Sequence, residues 1–220
     1  HNKKEAGPKL IEALKEGHSV AQVSDAGMPV ISDPGADLVC LALDEGIPVV
    51  PLPGPNAALT ALVASGLDAR QFAFIGFLPK ITAKRKKLLA DISRVPLTLI
   101  FYEAPHRIKE TMDVLIQSLG DRNAVTAREL TKKFETFERG TLAELRSGMN
   151  ENDPRGEYVI LVEGWNESME KEDEEETSWQ DAAVTLAEGM PLKEAARKVS
   201  GRYNVSRREV YQYLLKHNDH

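Results

Sequence analysis

Ser24-Asp25-Ala26-Gly27-Met28-Pro29-Val30-Ile31-Ser32-Asp33-Pro34-Gly35 joins an apolar run, Ser19–Val23, to a helical pattern, Ala36–Leu43. The segment holds two each of Gly, Pro, Asp and Ser. Gly opens backbone conformations closed to other residues, Pro fixes φ, and Asp and Ser bond nearby amides. Ordinary connections from strand to helix run roughly 2–6 residues, and this one is longer. It reads as a built loop at the C-terminal end of a strand, where open α/β sheets take their ligands.

Working outward, residues 8–16 read as an amphipathic helix carrying Leu10, Ile11 and Leu14 on one face, with Gly17 after it. Ser19–Ser24 is strand-like. Past the loop a helix runs to about Glu45, closed by Gly46. Ile47–Leu52 reads as the next strand, with Pro48 confining it to a short or edge position. Asn56 suits an N-cap for a helix Ala57–Ser65, and Gly66 stops it. Helix, strand, helix, strand, helix is the order of a parallel α/β layer.

A second α/β unit follows. Strands are expected at 72–78, 97–102, 123–128, 134–139 and 158–162, and helices at 82–93, 106–119 and 142–149. Consecutive strands near its end point to a mixed sheet with antiparallel members. From Glu167 to Glu176 seven of ten residues are acidic, a density that repels and buries nothing. Three helices are expected beyond it, starting at Trp179, Pro191 and Ser206, with a turn containing Gly201 and Asn204. The last two resemble a helix-turn-helix, and a small packing unit with no nucleic-acid role fits equally. The expected division is therefore 1–70, 71–164, an acidic linker 165–177 and a helical tail 178–220.

The 220 residues carry a net charge of −6, so a nucleic-acid partner must be held by a local basic patch. Lys80, Lys84, Arg85, Lys86 and Lys87 are the densest such patch, opposed nearby only by Asp91. The tail adds Lys193, Arg197, Lys198, Arg202, Arg207 and Arg208. One cysteine, Cys40, allows no internal disulfide and no cysteine-rich metal site; it is expected to pack as a small hydrophobe. No apolar run is long enough to span a bilayer. The His1-Asn2-Lys3-Lys4 start is not a signal peptide and lacks Met, so the sequence is expected to begin partway into a longer protein.

No Walker or dinucleotide glycine motif, nucleophile elbow or metal-spaced cluster is present, and no metal is expected. Four loops at strand ends remain: Asp25–Gly35, Pro53–Asn56, Glu103–Arg107 and Arg128–Lys133. Together they offer carboxylates, amides and close backbone approach, which suits a polar organic ligand such as a nucleoside derivative.

Ser24–Gly35, Pro53-Gly54-Pro55-Asn56-Ala57, Gly76-Phe77-Leu78-Pro79, Phe101–Arg107 and Arg128-Glu129-Leu130-Thr131-Lys132 also stand in a particular order. That set closely resembles the bacterial 16S ribosomal RNA (cytidine-2′-O)-methyltransferases, within the tetrapyrrole-methylase-like superfamily. The resemblance covers about the first three quarters of the chain. It implies two α/β domains with S-adenosylmethionine in the cleft between them, and a homodimer. It also implies methylation of a decoding-region cytidine of 16S ribosomal RNA in the small subunit, in the cytoplasm. The family begins with a strand and a Gly-rich loop, then an acidic Glu-Asp-Thr-Arg segment; these precede the motifs found here. Asn56 stands where the family usually has Ser or Cys.

By resemblance Asp25, Ala26, Gly27 and Pro29 lie against the cofactor. Asn56 and Ala57, at a helix N-terminus, suit its carboxylate, while Phe101, Tyr102 and Leu130 flank it. A 2′ hydroxyl needs a general base or a charged orienter, for which Glu103 and His106 are candidates. Helix capping is the plainer part for His106. Arg107, Arg128 and Lys132 are candidate phosphate holders beside the lysine patch, and a structural ion-pair network is their alternative. Two other readings fit the residues. One keeps the cofactor but changes the acceptor to a tetrapyrrole or other small molecule. The other is a non-enzymatic RNA-binding protein working through the C-terminal helices.

Overall fold

A computed structural model describes residues 3–149, 155–167, 178–203 and 205–217. Chain contacts divide it into two compact units, 1–165 and 166–220. In the first, helices α1 (Lys3–Lys15), α2 (Ala36–Asp44) and α3 (Ala57–Ser65) precede strand β1 (Phe72–Phe77). Then come α4 (Thr82–Ile92), β2 (Thr98–Glu103), α5 (Ile108–Leu119), β3 (Asn123–Arg128), β4 (Thr136–Thr141), α6 (Leu142–Gly148) and β5 (Tyr158–Val162).

The five strands form one mixed sheet in the order β1-β2-β5-β3-β4. β1 and β2 are parallel, and β5 lies antiparallel between β2 and β3. Every residue of β5 is buried, as its unbroken Tyr-Val-Ile-Leu-Val run requires. Side chains alternate between faces. Leu99, Phe101, Ile160 and Val162 point to a core with Leu89, Met112, Leu115 and Leu142. Ile100, Val125, Val159 and Leu161 point to the opposite face, where Ala58, Ala61 and Leu62 of α3 cover them. Each such aliphatic side chain contributes about 1.5–3 kcal/mol on burial.

α3 is closed at both ends as its sequence foretells. The Leu59 N–H donates to Asn56 Oδ1 at 3.0 Å, and Gly66 follows with φ 86°. From the sheet edge, the Arg139 Nε of β4 donates to the Ser65 carbonyl at 3.2 Å, serving a helix end that would otherwise lack a partner.

Four expectations are corrected. Ser19–Ser24 and Ile47–Leu52 are not strands, because neither enters a ladder among the described residues. Pro48 and Pro51 have no N–H to give one, and Val23, Val50 and Leu52 stand 83%, 77% and 79% exposed. β4 begins two residues later than the sequence pattern suggests, at Thr136 rather than Phe134. Cys40 is exposed rather than packed, since Ala42 is the buried position of α2.

The second unit holds α7 (Trp179–Gly189), α8 (Leu192–Arg202) and α9 (Arg207–His217) around Ala183, Ala195, Ala196, Val199, Val210 and Leu214. Ser178 caps α7, accepting the Asp181 N–H at 3.2 Å. Of the acidic run, residues 168–176 lie outside the described residues.

Candidate functional site

A cavity of about 640 Å³ opens inside the first unit, at the edge where β1, β2 and β3 end. The quoted loop forms one wall with Ser24–Met28 and Ile31–Asp33. Pro55, Asn56, Ala57 and Thr60 at the start of α3 form another, and Glu129–Lys132 after β3 a third. Phe77, Tyr102 and Glu103 come from the ends of β1 and β2.

The loop is seated on a bulge. The β1–β2 register slips between Phe74 and Gly76, and Gly76 takes φ 72°. A Cβ on Gly76 would stand 3.1 Å from Ser32 Oγ. Within the loop Val30 and Ser32 hold φ 73° and 58°, and across the cavity Glu129 and Thr131 hold 51° and 64°. Non-glycine residues in this region cost of order 1–3 kcal/mol each and collect at ligand clamps. Gly76→Ala is expected to lose about 1 kcal/mol or more, lowering Tm by several degrees. An unchanged calorimetric Tm contradicts this seating.

The N-terminus of α3 is partly filled from inside. Asn56 takes the Leu59 N–H, and the Tyr102 hydroxyl accepts the Ala58 N–H at 3.0 Å. The Leu59 and Ala58 amides are thus taken from within the chain, while Asn56 and Ala57, the two residues the sequence reading offers to an anion, stand in the cavity wall. Burial pushes the Tyr102 phenol above its usual range, with the Glu157 charge adding to the rise and the Ala58 N–H opposing it. It therefore stays a neutral hydroxyl whose proton can still be donated. Phe74 and Phe77 meet its ring edge-on at 5.0 and 5.8 Å.

Asp25, Ala26, Gly27, Asn56, Ala57, Tyr102 and Leu130 all line this one cavity. Pro29 does not, and Phe101 points into the core, fully buried, because strand alternation sends it opposite to Tyr102. Arg85 is corrected too. It sits at helical spacing with Leu88, Leu89 and Ile92, is buried, and pairs with Glu110 at 2.8 Å. That leaves Lys80, Lys84, Lys86 and Lys87 exposed, Lys87 bridged to Asp91 at 3.3 Å.

Arg128 and Lys132 bind locally, to Thr136 Oγ1 at 3.2 Å and to Glu129 at 3.1 Å. His106 is exposed and outside the cavity lining. Glu157 and Val159 were missed by sequence reasoning. β5 runs antiparallel, so its beginning, not its end, reaches this edge, with Tyr158 paired to Glu103 and Arg128.

Glu129 carries an acid-dependent contact. The Lys132 ammonium donating to it holds its carboxyl below the ordinary 4.5, against the opposing effect of burial. A lowered carboxyl stabilises the fold above pH 4.5 and loses that contribution as pH falls through the lowered value. Lys132→Met is expected to flatten the fall of Tm below pH 4.5; an unaltered profile counts against the contact.

The family profile described as Tetrapyrrole (Corrin/Porphyrin) Methylases matches residues 1–146. The chain belongs to the tetrapyrrole methylase family. A second profile, described as RsmI C-terminal HTH domain, matches residues 173–218 of this tetrapyrrole methylase.

The protein named ribosomal RNA small subunit methyltransferase I of Bacillus subtilis (strain 168) is 48% identical over 217 residues. That match spans 96% of this chain and 74% of the relative. The protein so named in Vibrio cholerae serotype O1 (strain ATCC 39315 / El Tor Inaba N16961) is 43% identical, covering 98% and 75%. Among solved structures, the methyltransferase CobJ gives a TM-score of 0.56 at 22% identity, over 72% of this chain and 70% of that one. A diphthine synthase gives 0.53 at 17%, over 78% and 70%. These two share the fold.

S-adenosylmethionine is the cofactor of this tetrapyrrole methylase. The residues present fit it. The cavity volume falls within the roughly 300–1,000 Å³ of small-molecule sites. Asp25, Asp33, Glu129 and Glu157 put carboxylates around a space suited to a sulfonium cation. Phe77 and Tyr102 offer aromatic surface to a base, and at Gly27 a Cβ would stand 3.5 Å from the Pro55 carbonyl. Among the described residues no group of His, Cys, Asp or Glu is placed to hold a metal, and no helix is long and apolar enough to cross a membrane.

Proposed function

We propose that this chain methylates ribosomal RNA of the small subunit, on the ribose 2′ oxygen of a cytidine in the decoding region. The observation that carries this reading is the 48% identity, over 96% of the chain, to a protein named ribosomal RNA small subunit methyltransferase I. The exposed lysine face of α4 supports it, because RNA affinity rests on phosphate neutralisation.

The cofactor supplies an electrophilic methyl group on a sulfonium sulfur. Asp25–Gly27 and Ala57 approach it with small side chains and backbone groups. Tyr102 and Leu130 flank it, and Tyr102 donates its hydroxyl proton to a polar atom of the ligand. Lys80, Lys84, Lys86 and Lys87 take phosphates of the RNA. The carboxylate of Glu103 is filled by hydrogen bonds, which gives it an anchoring part rather than that of proton acceptor. Residues 1–70 and 71–164 act as two halves of the site, 165–177 as a linker and 178–220 as an accessory RNA contact. The working species is a cytoplasmic homodimer.

Incubating purified protein with labelled S-adenosylmethionine and small subunits lacking the modification tests the reading. Label is expected in 2′-O-methylcytidine after nuclease digestion. No incorporation, or label on a base, overturns it.

A further inference from the structure

Glu103 is 1% exposed at the end of β2. A carboxylate so far from water is costly unless its oxygens are filled. Both are. Oε1 accepts the Ala104 N–H at 2.9 Å, and Oε2 accepts the Thr111 hydroxyl at 2.6 Å. Arg107 Nη2 stands 3.6 Å from the same Oε2 and donates to the Leu78 carbonyl at 3.3 Å. The Arg107 side chain is only 15% exposed and does not line the cavity. One guanidinium nitrogen therefore joins the turn after β2 to the segment after β1. That second segment, Leu78-Pro79-Lys80-Ile81, leads directly into α4 and its lysines.

We propose that Glu103 and Arg107 are positioning residues that fix where the α4 lysines stand relative to the mouth of the cavity. The proposal rests on the RNA reading above and adds the device that couples the cofactor wall to the RNA-facing helix. Its chemistry is a charge-assisted link in a site shielded from water. Glu103→Gln keeps the volume and an acceptor but removes the charge that holds Arg107. The guanidinium then loosens from Leu78, and the lysines lose their fixed distance from the cleft. Arg107 stands outside the cavity lining, so its replacement leaves cofactor binding as it was; Glu103 belongs to that lining, and its replacement carries no such expectation.

Steady-state methyl transfer to small subunits and calorimetry of S-adenosylmethionine binding test this on wild type, Glu103→Gln, Arg107→Met and the double variant. Each single change is expected to raise KM for RNA about tenfold, and Arg107→Met, outside the cavity lining, is expected to keep kcat and the cofactor Kd within about twofold. The double variant is expected to match the worse single, because both changes cut one link. Arg107→Lys, which keeps the charge, is expected to recover part of the loss. Unchanged KM, a cofactor Kd that rises in step with KM in Arg107→Met, or additive losses in the double overturn the proposal. Should Glu103→Gln fail to fold, the partly exposed Arg107 variants decide the matter by the same KM and Kd comparison. Wild-type protein that transfers no methyl group to RNA overturns the RNA reading itself. Active wild type with unmoved KM overturns only the positioning link.

Discussion

Replacing Gly27 by Val is expected to weaken S-adenosylmethionine binding at least about a hundredfold, or about 2.7 kcal/mol. Gly27 holds φ 82°, a conformation that β-branched residues strongly resist. The strain alone is worth of order 1–3 kcal/mol. The new side chain would also grow from a cavity wall into the space beside Pro55, whose carbonyl lies 3.5 Å from an ideal Cβ. Both effects fall on the site rather than the core, because Asp25, Ala26 and Gly27 are exposed and none belongs to the sheet packing. Calorimetric titration with the cofactor gives the answer, with Tm as a control. A Kd close to that of wild type would sink the assignment of this wall.

The second large effect is electrostatic. Lys80, Lys84 and Lys86 are exposed, and no ion pair is recorded for them among the described residues, whereas Arg85 beside them is buried against Glu110. Reversing all three to Glu removes three cations and adds three anions on one face. RNA affinity is expected to fall at least about a hundredfold at moderate salt, and the slope of log K against log salt to drop by about two to three. Cofactor affinity should stay put, because none of the three lines the cavity. Fluorescence anisotropy with a decoding-region RNA across a salt series measures both quantities. An unaltered slope would mean that phosphates are held elsewhere. Arg85→Glu is the contrasting variant, since it places a carboxylate in the core beside Glu110 and acts through stability.

Much of this was legible in the residues, for reasons that differ from element to element. β5 declared itself because five apolar residues in a row suit a strand buried on both faces. α3 was bracketed by Asn56 and Gly66, whose local chemistry acts without help from the rest of the chain. The cavity loops were found because Gly, Pro and Asp mark shaped turns. Ser19–Ser24 and Ile47–Leu52 misled, because a strand needs a neighbour and apolar content alone does not supply one. Arg85 misled for a related reason: charge density reads as surface, but helical spacing put this member of the cluster on the inward row. Tyr102 filling the start of α3 was out of reach, since a contact across 44 positions leaves no trace in local pattern. Glu157 was within reach once the last strand was read as antiparallel, because reversal brings its first residues to the ligand edge.

The placement of β5 also governs when the protein can become itself during synthesis. It is the last of the five strands to leave the ribosome, yet it sits in the middle of the sheet, between β2 and β3. Until Tyr158–Val162 emerges, the β1–β2 and β3–β4 pairs have no ladder between them. Each then offers an open edge of hydrogen-bonding groups, the kind of surface that pairs with other chains. A nascent or truncated chain ending before Tyr158 is thus a pair of sticky half-sheets, and the final five-residue strand acts as the keystone that closes them.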